Sequence, residues 1–357
     1  MRKKVTLKDI AKDAGVSIST VSRALARTGD ISSDKERAIF ESAHRLNYPL
    51  SIDSMPFEHR KCVNIALVTF FFTGEFFSSL FHGFDKATMG TNANVKLVSV
   101  SHSGSNQVGT IAELKKSGFD AAVIFLPDFV EKDYRNLLKA IPENFPLVSS
   151  APIVSPVLDT VTFDHYRGGY SIASHFNDQG FKKLGIIQGP ASKSEALLRK
   201  NGYTDFIAKS DDLSLVWEAK GDYSIDAGIN AYKNYRESVV KPDAIFCSND
   251  DVAIGFMHSA IRHGVMIPHD VAIASFDDLP KCEYHTPTIT SVRTPYDILG
   301  KKVIDLILER LQDGSSHQHT GYTSLVPVSL SIRESTTGCT KFSREHYKRF
   351  TELAQKV

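Results

Sequence analysis

At 357 residues the chain exceeds one typical domain and can hold a small unit beside a body with a sizeable core. A hydrophobic content of 42% and a charged content of 23% exclude disorder as the default, and no run of 18 apolar residues indicates a membrane span. The net charge of +1 conceals an asymmetry, because residues 1–61 carry twelve Lys and Arg against eight Asp and Glu. That excess fits a unit that meets phosphates.

The first predicted element is a helix after Thr6. Thr6 can cap it, Asp9 lies in its favourable first turn, and its apolar face carries Leu7, Ile10, Ala11 and Ala14. Gly15 then supplies the left-handed backbone that a tight helix exit needs. Ser17 can cap a second helix, in which Val21, Ala24 and Leu25 share one face.

A third helix is predicted to begin at Ser33, because Ser33 and Glu36 can form a capping box. Three short helices with a glycine turn between the first two are typical of a helix-turn-helix, whose second helix enters the DNA major groove. That helix carries Arg23, which can fork onto phosphate or guanine, and Ile18, which can contact a thymine methyl. Periodicity alone fits a three-helix bundle that never touches DNA equally well.

Two stretches of this region carry a long and specific resemblance: Val5-Thr6-Leu7-Lys8-Asp9-Ile10-Ala11 with Ala14-Gly15-Val16-Ser17, and Thr20-Val21-Ser22-Arg23-Ala24-Leu25. They resemble the head of the lactose-repressor/galactose-repressor family. The resemblance implies that Ile18 and Ser19 read bases of a double-stranded operator, with support from Thr20 and Arg23. The predicted DNA-binding residues are Thr6, Ser17, Ile18, Ser19, Thr20, Ser22, Arg23, Asn47, Tyr48 and Phe57.

The connector at residues 49–62 departs from the family pattern. Family members form a hinge helix there on DNA and drive a leucine into the minor groove. This chain instead has Pro56, which removes a helical hydrogen-bond donor, and Phe57 stands near the leucine position. Asp53 and Glu58 oppose close approach to phosphates. Phe57 as a wedge and a plain linker both stay open, with the linker favoured.

From Val63 onward, short apolar strands alternate with helical stretches, which predicts repeated βαβ units. Nearly continuous apolar strands indicate parallel sheets that are buried on both faces, with ligand-binding loops at the carboxyl ends of the strands. The strands are predicted at residues 65–68, 96–100, 121–125, 161–163, 184–187, 244–247 and 271–276.

Aromatic and polar residues follow these strands. Phe70–Phe72, Phe76 and Phe77 come after the first, Asn249-Asp250 after a later one, and Asp277-Asp278 after the last. Rings suit pyranose C–H faces, and Asp and Asn pair with neighbouring hydroxyls, so a sugar is the predicted ligand class. A single aromatic of this kind is more often a core residue, and Asp277-Asp278 alone fits a turn or a helix cap.

The body carries further motifs in the order of the same family, among them Arg199-x-x-Gly202-Tyr203, Ser248-Asn249-Asp250 and Ser275-Phe276-Asp277-Asp278. The resemblance implies a small all-α helix-turn-helix head plus a two-lobed α/β (periplasmic-binding-protein-like, type I) effector domain with parallel sheets. It divides the chain into a head at 1–48, a linker at 49–62, a body at 63–340 and a basic tail at 341–357. Within the body it implies lobe 1 at about 63–161 plus 293–323 and lobe 2 at about 162–292 plus 324–340.

Effector contacts are carried over from the family position by position. Phe76 and Tyr166 would be hydrophobic walls, and Arg199 and Asp277 would be charged clamps. Tyr223 would stack as a ring, and Asn249 would bond a hydroxyl. Ser150 is added as a departure, because the family often has an acidic residue near that point. Core packing is an equal alternative for Tyr166, and a surface position on a helix is an alternative for Arg199.

The resemblance also implies a homodimer whose two heads bind half-sites about one helical turn apart and are released by an inducer between the lobes. The tail lacks the leucine heptads of a tetramerising segment. Four scattered cysteines without a Cys-x-x-Cys pair indicate free thiols, and we expect no metal and no cofactor.

Two rival classes of protein fit the sequence less well. A cytoplasmic α/β enzyme acting on a sugar or nucleotide would need a motif such as Gly-x-Gly-x-x-Gly or Gly-x-Ser-x-Gly, and the sequence contains neither in the required context. A sugar-binding protein that feeds a transporter would need export. The polar opening segment does not resemble a signal peptide, and we therefore expect a cytoplasmic protein without catalytic activity.

Overall fold

The computed structural model describes residues 5–26, 31–46, 48, 62–70, 74–100, 107–155, 157–313 and 321–337. Its first unit consists of three short helices, α1 Leu7–Asp13, α2 Ile18–Ala26 and α3 Ser33–Arg45. Their apolar faces meet in one cluster in which Ile10, Val21, Ile39 and Ala43 are fully buried. The predicted helical head is confirmed.

Local hydrogen bonds set the ends of these helices. Ser17 caps α2 as predicted, because its Oγ accepts from the N–H of Thr20 at 3.1 Å. Thr6 is the N-cap residue of α1, as predicted, and its backbone N–H donates to Asp9 Oδ2 at 2.8 Å. The turn between them passes through Gly15 at φ 66°. The cap of α3 differs from the prediction, because the N–H of Glu36 bonds the carbonyl of Ser32 at 3.0 Å and Ser33 is already helical.

The body is built from strands that alternate with helices. Its described strands are β1 Val63–Phe70, β2 Ala93–Val100, β3 Ala121–Phe125, β4 Leu147–Ser149, β5 Thr160–Phe163, β6 Lys183–Gln188, β7 Ser214–Lys220, β8 Ala244–Cys247, β9 Ala272–Asp277, β10 Thr290–Arg293, β11 Thr323–Val326 and β12 Ser329–Ser331. Its described helices are α4 Glu75–Ala87, α5 Gln107–Ala112, α6 Glu131–Ala140, α7 His165–Asp178, α8 Ser194–Ala208, α9 Ile225–Glu237, α10 Asp250–Arg262, α11 Lys281–Tyr284, α12 Tyr296–Asp313 and α13 Glu334–Thr337. No helix within these bounds is both long and apolar enough to cross a lipid bilayer.

The strands form two six-stranded sheets of matching order, β11-β5-β4-β3-β1-β2 and β12-β10-β9-β8-β6-β7. Each sheet is one lobe, so the predicted two-lobed α/β architecture is confirmed. The strands within each sheet are parallel, as predicted, except at one edge, where β12 runs antiparallel to β10. The chain enters β12 two residues after the end of β11, at the junction of the lobes. Strand β12 therefore starts at the end of the sheet where β10 finishes, and the two strands run in opposite directions.

The chain passes between the lobes three times: after β5, after β10 and after β11. The predicted boundaries at 161/162 and 323/324 are wrong by a few residues, because β5 pairs in lobe 1 through Phe163 and β11 pairs beside it through Val326. The boundary at 292/293 is also early, since Arg293 still pairs with Asp277 in lobe 2.

Both faces of each sheet are covered. In β1, Ile65 and Leu67 join one buried cluster, whereas Ala66 and Val68 join the cluster on the opposite face. Burial on both sides explains the nearly continuous apolar strands of the sequence. Polar side chains are therefore concentrated where strands end, and in parallel sheets those ends face the junction between the lobes.

Candidate functional site

The first candidate surface is the outer face of α2. Ile18 is 48% exposed, and Ser19, Ser22 and Arg23 are also exposed. The hydroxyl of Ser17 lies 2.8 Å from that of Ser19 and 2.7 Å from that of the half-buried Thr20. The side chains opposite them, Val21 and Ala24, are buried in the head core. Helical periodicity thus leaves a contiguous polar face with one cation and one apolar side chain in water.

The remaining predicted DNA contacts are placed differently. Thr6 is exposed at the start of α1. Tyr48 is half-buried and packs against the head core, and its N–H bonds the carbonyl of Ala43 at 2.9 Å. Asn47 and Phe57 lie outside the described residues, as do most of the linker, Phe71, Phe72 and the basic tail.

The second candidate surface lies between the lobes and is centred on Arg199 of α8, which is 5% exposed. Its Nη2–H donates to Asp277 Oδ1 at 3.0 Å and its Nη1–H to the carbonyl of Ser248 at 2.6 Å. Its Nε–H donates to His165 Nδ1 at 3.3 Å. The guanidinium carbon also lies 3.8 Å from the centre of the Phe276 ring. The two predicted charged clamps are therefore brought together, and the alternative of a surface arginine is wrong.

Asp277 reaches Arg199 because the chain bends sharply at the end of β9. Asp277 has φ 107° and Asp278 has φ 53°, a left-handed region that side chains occupy at a cost of roughly 1–3 kcal/mol. Buried Asp250 holds this turn: its carboxylate accepts from Ser291 Oγ at 2.7 Å and from the N–H of Leu279 at 2.8 Å. Asp250 is therefore a positioning residue, one named from the sequence among the polar residues that follow strands but assigned no role in the site.

Burial controls the protonation of this group. It raises the pKa of Asp277 to about 7, although the charge of Arg199 opposes the rise. Burial also lowers the pKa of His165 well below its usual value, and Arg199 adds to the effect. His165 is therefore neutral at pH 7, which suits an Nδ1 that accepts a hydrogen bond. Its position was missed because it depends on packing against Phe276 and Phe163, from the two different lobes.

Asn249 and Tyr223 meet beside this group. Asn249 Oδ1 caps α10 by accepting from the N–H of Val252 at 3.1 Å, and Asn249 Nδ2–H donates to the carbonyl of Tyr223 at 3.0 Å. Tyr223 adopts φ 73°, and its ring centre lies 5.7 Å from the Arg199 guanidinium carbon. Asn249 thus orients Tyr223 as well as standing near the cleft. Direct contact of either with a ligand stays a prediction.

Lobe 1 contributes aromatic rings and Ser150. Phe76 at the start of α4 lies 5.4 Å from Phe125 and 6.0 Å from Tyr296, measured between ring centres. Tyr296 in turn lies 5.5 Å from Phe163. Ser150 follows β4 and is 2% exposed. The predicted wall residue Phe76 is therefore part of an aromatic cluster that borders the junction of the lobes.

Tyr166 lies away from the Arg199 group. Its hydroxyl donates to Asp205 Oδ2 of α8 at 2.8 Å on the exposed side of the α7–α8 pair. Consecutive residues of a helix point in different directions, and it is the preceding residue, His165, that faces Arg199. The placement of Tyr166 as a wall of the cleft is wrong for this structure, and so is the alternative of core packing.

Several buried hydroxyls around the cleft have no hydrogen-bond partner among the described residues: Ser150 Oγ, Ser248 Oγ and Tyr223 OH. An unsatisfied buried polar group costs free energy, about 1–3 kcal/mol in proteins. Such groups at three strand ends that face one another are suited to a polar ligand. In the described part of the chain, no group of three or more His, Cys, Asp or Glu side chains could hold a metal ion.

The lobes contact each other at the rim of the cleft. Lys193 before α8 forms an ion pair with Asp128 of lobe 1 at 3.0 Å. On the other side, the N–H of Lys281 donates to Glu75 Oε2 of α4 at 3.3 Å. These contacts span the two lobes directly and hold them in the present relative position.

Comparison with known proteins follows the same division. Residues 6–49 match the model of bacterial regulatory proteins of the lacI family, and residues 173–336 match that of a periplasmic binding protein-like domain. The HTH-type transcriptional repressor PurR of Photobacterium profundum is 26% identical over 311 residues, which cover 86% of this chain and 92% of that protein. The probable HTH-type transcriptional repressor ExuR of Bacillus subtilis is 27% identical over 317 residues, 85% of this chain and 92% of that one.

Solved structures share the fold. The lac repressor dimer bound to operator and the anti-inducer ONPF superposes with a TM-score of 0.70 at 23% identity, and the match covers 94% of this chain and 99% of that one. A LacI family transcriptional regulator from Enterococcus faecium with bound ribose gives 0.65 at 23% identity, with 78% and 100% covered. The chain thus joins a head that matches the lacI family of bacterial regulatory proteins to a body that matches a periplasmic binding protein-like domain.

Proposed function

We propose that this chain is a DNA-binding transcription regulator, a repressor that binds a pseudo-palindromic operator as a homodimer and releases it when a small sugar binds between the lobes. The supporting observation is that one chain joins an exposed helical face to a buried and partly unsatisfied polar cleft. Relatives at 26–27% identity are named as transcriptional repressors, and one structure of the same fold contains ribose.

DNA recognition by α2 follows from the character of its exposed face. Arg23 offers a planar fork to phosphate or guanine, Ile18 an apolar contact to a thymine methyl, and Ser19 a short hydrogen-bonding group. The side chains that orient α2 are buried against α1 and α3, so this face is presented by a rigid unit. Two such heads on a symmetric dimer would match the two halves of an operator.

Ligand control follows from the three chain crossings. The head is joined through the linker to β1, in lobe 1, whereas Arg199 and Asp277 belong to lobe 2. A ligand that contacts both lobes favours one lobe angle over another, and that angle sets the separation of the two heads in a dimer. Couplings of this kind are typically about 1–3 kcal/mol, which corresponds to roughly a 5- to 150-fold change in DNA affinity.

Fluorescence anisotropy on a labelled duplex from the promoter region adjoining the protein's own gene tests the proposal. The protein is titrated with and without a panel of ribose, glucose, galactose and cellobiose. We expect tight binding that at least one sugar weakens 5-fold or more. If the protein binds the duplex but no sugar changes the affinity, the proposed control by a sugar is wrong. If it does not bind the duplex even at 50 mM salt, the proposed DNA-binding function is wrong.

Arg23→Ala separates recognition from general charge. It should weaken operator binding 10-fold or more, because the exposed guanidinium of α2 is lost. Arg37→Ala is the matched control, since it removes the same charge from α3, where Arg37 pairs with Asp34. Equal losses in the two variants would show that the head binds by charge alone and that α2 does not read the DNA.

A further inference from the structure

Among the described residues, Arg199 is the one Lys or Arg side chain that is buried, and its charge is already matched within the protein. Each of its three nitrogens donates to a protein acceptor: the Asp277 carboxylate, the carbonyl of Ser248 and the ring of His165. The guanidinium can still offer single N–H groups to a hydroxyl. Its Nε–Nη2 edge, which could pair bidentately with a carboxylate, is occupied by His165 and Asp277, so a second carboxylate or a phosphate would have to share the guanidinium with Asp277.

Another buried carboxyl stands nearby. Glu195, in the first turn of α8, is buried, and burial raises its pKa although Arg199 and Lys193 oppose the rise. It follows Lys193 by two residues, and Lys193 pairs with Asp128 of lobe 1 at 3.0 Å, so Glu195 lies close to the junction of the lobes. Three buried carboxyls, those of Asp277, Asp250 and Glu195, thus lie near one buried guanidinium, and a bound anion would add a further acidic group to them.

The two lysines at the rim of the cleft do not offset this excess of acidic groups. Lys193 pairs with Asp128 at 3.0 Å, and the ammonium of Lys281 pairs with Asp251. Each rim cation is thus opposed by its own carboxylate. Any compensation of a ligand charge would require an existing ion pair to open.

The groups that do lack partners are hydroxyls. Ser150, Ser248 and Tyr223 can each donate and accept, as the hydroxyls of a sugar do. A carboxylate or phosphate group only accepts. On the lobe 1 side the wall is aromatic, with Phe76, Phe125 and Tyr296, and such a surface favours C–H groups over a hydrated ion.

We propose that the ligand of this cleft is an uncharged polyhydroxyl compound, and that the cleft rejects the corresponding sugar acids and sugar phosphates. The inference deepens the proposed function and relies on it only for the location of the ligand site. It makes charge, not ring size or stereochemistry, the first property by which the cleft selects.

Isothermal titration calorimetry of the full-length protein with matched sets of compounds tests the proposal. The sets are ribose with ribose 5-phosphate, glucose with glucuronate and glucose 6-phosphate, and galactose with galacturonate. We expect a neutral member to bind at least 30-fold more tightly than its charged analogues. Binding of a glucuronate, galacturonate or phosphate ester as tight as that of its neutral parent, or tighter, overturns the proposal.

Asp277→Asn tests the cause of the selection. It is isosteric and leaves Arg199 without its counter-charge, so the preference for the neutral compound over its acid should shrink 10-fold or more. Asp205→Asn removes the same charge from the exposed surface of α8 and should leave the preference unchanged. An unchanged preference in a folded Asp277→Asn protein, checked by the fluorescence of its single tryptophan, would contradict the proposal.

The two proposals fail in different ways. A neutral sugar that binds in the calorimeter without altering operator affinity would refute the regulatory function and leave the charge selection intact. A sugar acid that binds and releases the operator would refute the charge selection and leave the regulatory function intact.

Discussion

The α2 face and the interlobe cleft are built in opposite ways. The predicted DNA contacts of α2 come from one stretch, Ser17 to Arg23, and most of them lie in water without bonds to distant parts of the chain. The cleft instead assembles Arg199, Asp277 and His165 from separate elements, and these side chains are buried and bonded to one another. The side chains of a DNA-binding surface can stay hydrated and unbonded in the free protein. A small-molecule site instead needs its polar groups fixed in place before the ligand binds.

This difference predicts that removing an arginine lowers the free energy of unfolding in the cleft but not on the α2 face. Arg199→Ala leaves the buried Asp277 carboxylate unpaired and should lower the free energy of unfolding of lobe 2 by about 3–5 kcal/mol. Arg23→Ala removes an exposed side chain and should leave stability unchanged. Urea unfolding followed by the fluorescence of Trp217, the chain's single tryptophan and a buried residue of β7, measures the effect.

Arg199→Ala combined with Asp277→Asn tests the cause of that loss. The double variant should recover part of the lost stability, because no unpaired charge remains. A loss below about 1 kcal/mol in Arg199→Ala, measured at pH 8, would mean that Asp277 is hydrated or protonated in the variant, and the contrast between the two surfaces would then be wrong.

The cleft should also respond to pH where the head does not. Burial raises the pKa of Asp277 to about 7, above its value in the unfolded chain, so the folded protein binds the extra proton. The stability of lobe 2 should therefore rise as the pH falls from 8 to 6.5, by about 1 kcal/mol for this single group. His165 opposes part of this rise, because burial lowers its pKa in the folded state whereas the unfolded imidazole, with an ordinary pKa of about 6.5, takes up a proton as the pH falls.

Asp277→Asn isolates the contribution. Urea unfolding at pH 8, 7 and 6.5 should give a smaller rise in this variant than in the original protein, since the other titrating groups are shared. Identical slopes would show that Arg199 keeps Asp277 ionised throughout the range.

The same contrast explains how far the sequence alone could predict this chain. The caps, turns and exposed side chains of α1 and α2 depend on neighbours within about four residues, and they were predicted correctly. In the body, β3 and β8 were predicted to the residue because they are continuous apolar runs. Strands β4, β7, β10, β11 and β12 were missed: β4 and β12 are only three residues long, β10 begins with Thr and Ser, and β7 and β11 carry exposed polar residues at an edge of their sheets.

The cleft could be predicted only in part. The family motifs identified Arg199 and Asp277, but the burial of His165 and Glu195 depends on elements far apart in the chain. The capping role of Asn249 could have been read locally, since Asn before a helix is a common cap. The sequence pattern did not show whether Tyr166 or His165 faces the cleft. Adjacent helical residues point in different directions, so a rotation of the helix by one residue changes which of them faces Arg199.

Two adjacent serines sharpen the comparison within the cleft itself. Ser149 Oγ donates to the carbonyl of Ala151 at 2.8 Å and accepts from its N–H at 3.2 Å, whereas Ser150 Oγ has no partner among the described residues. Ser149→Ala should therefore cost about 1 kcal/mol of unfolding free energy. Ser150→Ala should leave the free protein as stable or slightly more stable.

Ligand binding should reverse that order. If Ser150 Oγ awaits a ligand hydroxyl, Ser150→Ala should weaken binding of the neutral sugar about 5- to 10-fold in calorimetry. A large loss of stability in Ser150→Ala would reveal a protein partner for this hydroxyl and remove it from the ligand site.

The smallest effect is expected at Tyr166. Its hydroxyl bonds the exposed Asp205, away from Arg199, so Tyr166→Phe should change neither the unfolding midpoint nor the sugar response of operator binding. His165→Leu, one residue earlier, is the matched contrast, because it removes the acceptor of Arg199 Nε and should weaken the sugar response. If Tyr166→Phe abolished the response and His165→Leu did not, α7 would have to present its other face to the ligand. Helix α7 could not rotate alone to do so, because Gly202 of α8 lies directly against the backbone of Tyr166. The ligand-bound protein would then need a rearrangement within lobe 2, larger than a hinge movement at the three crossings.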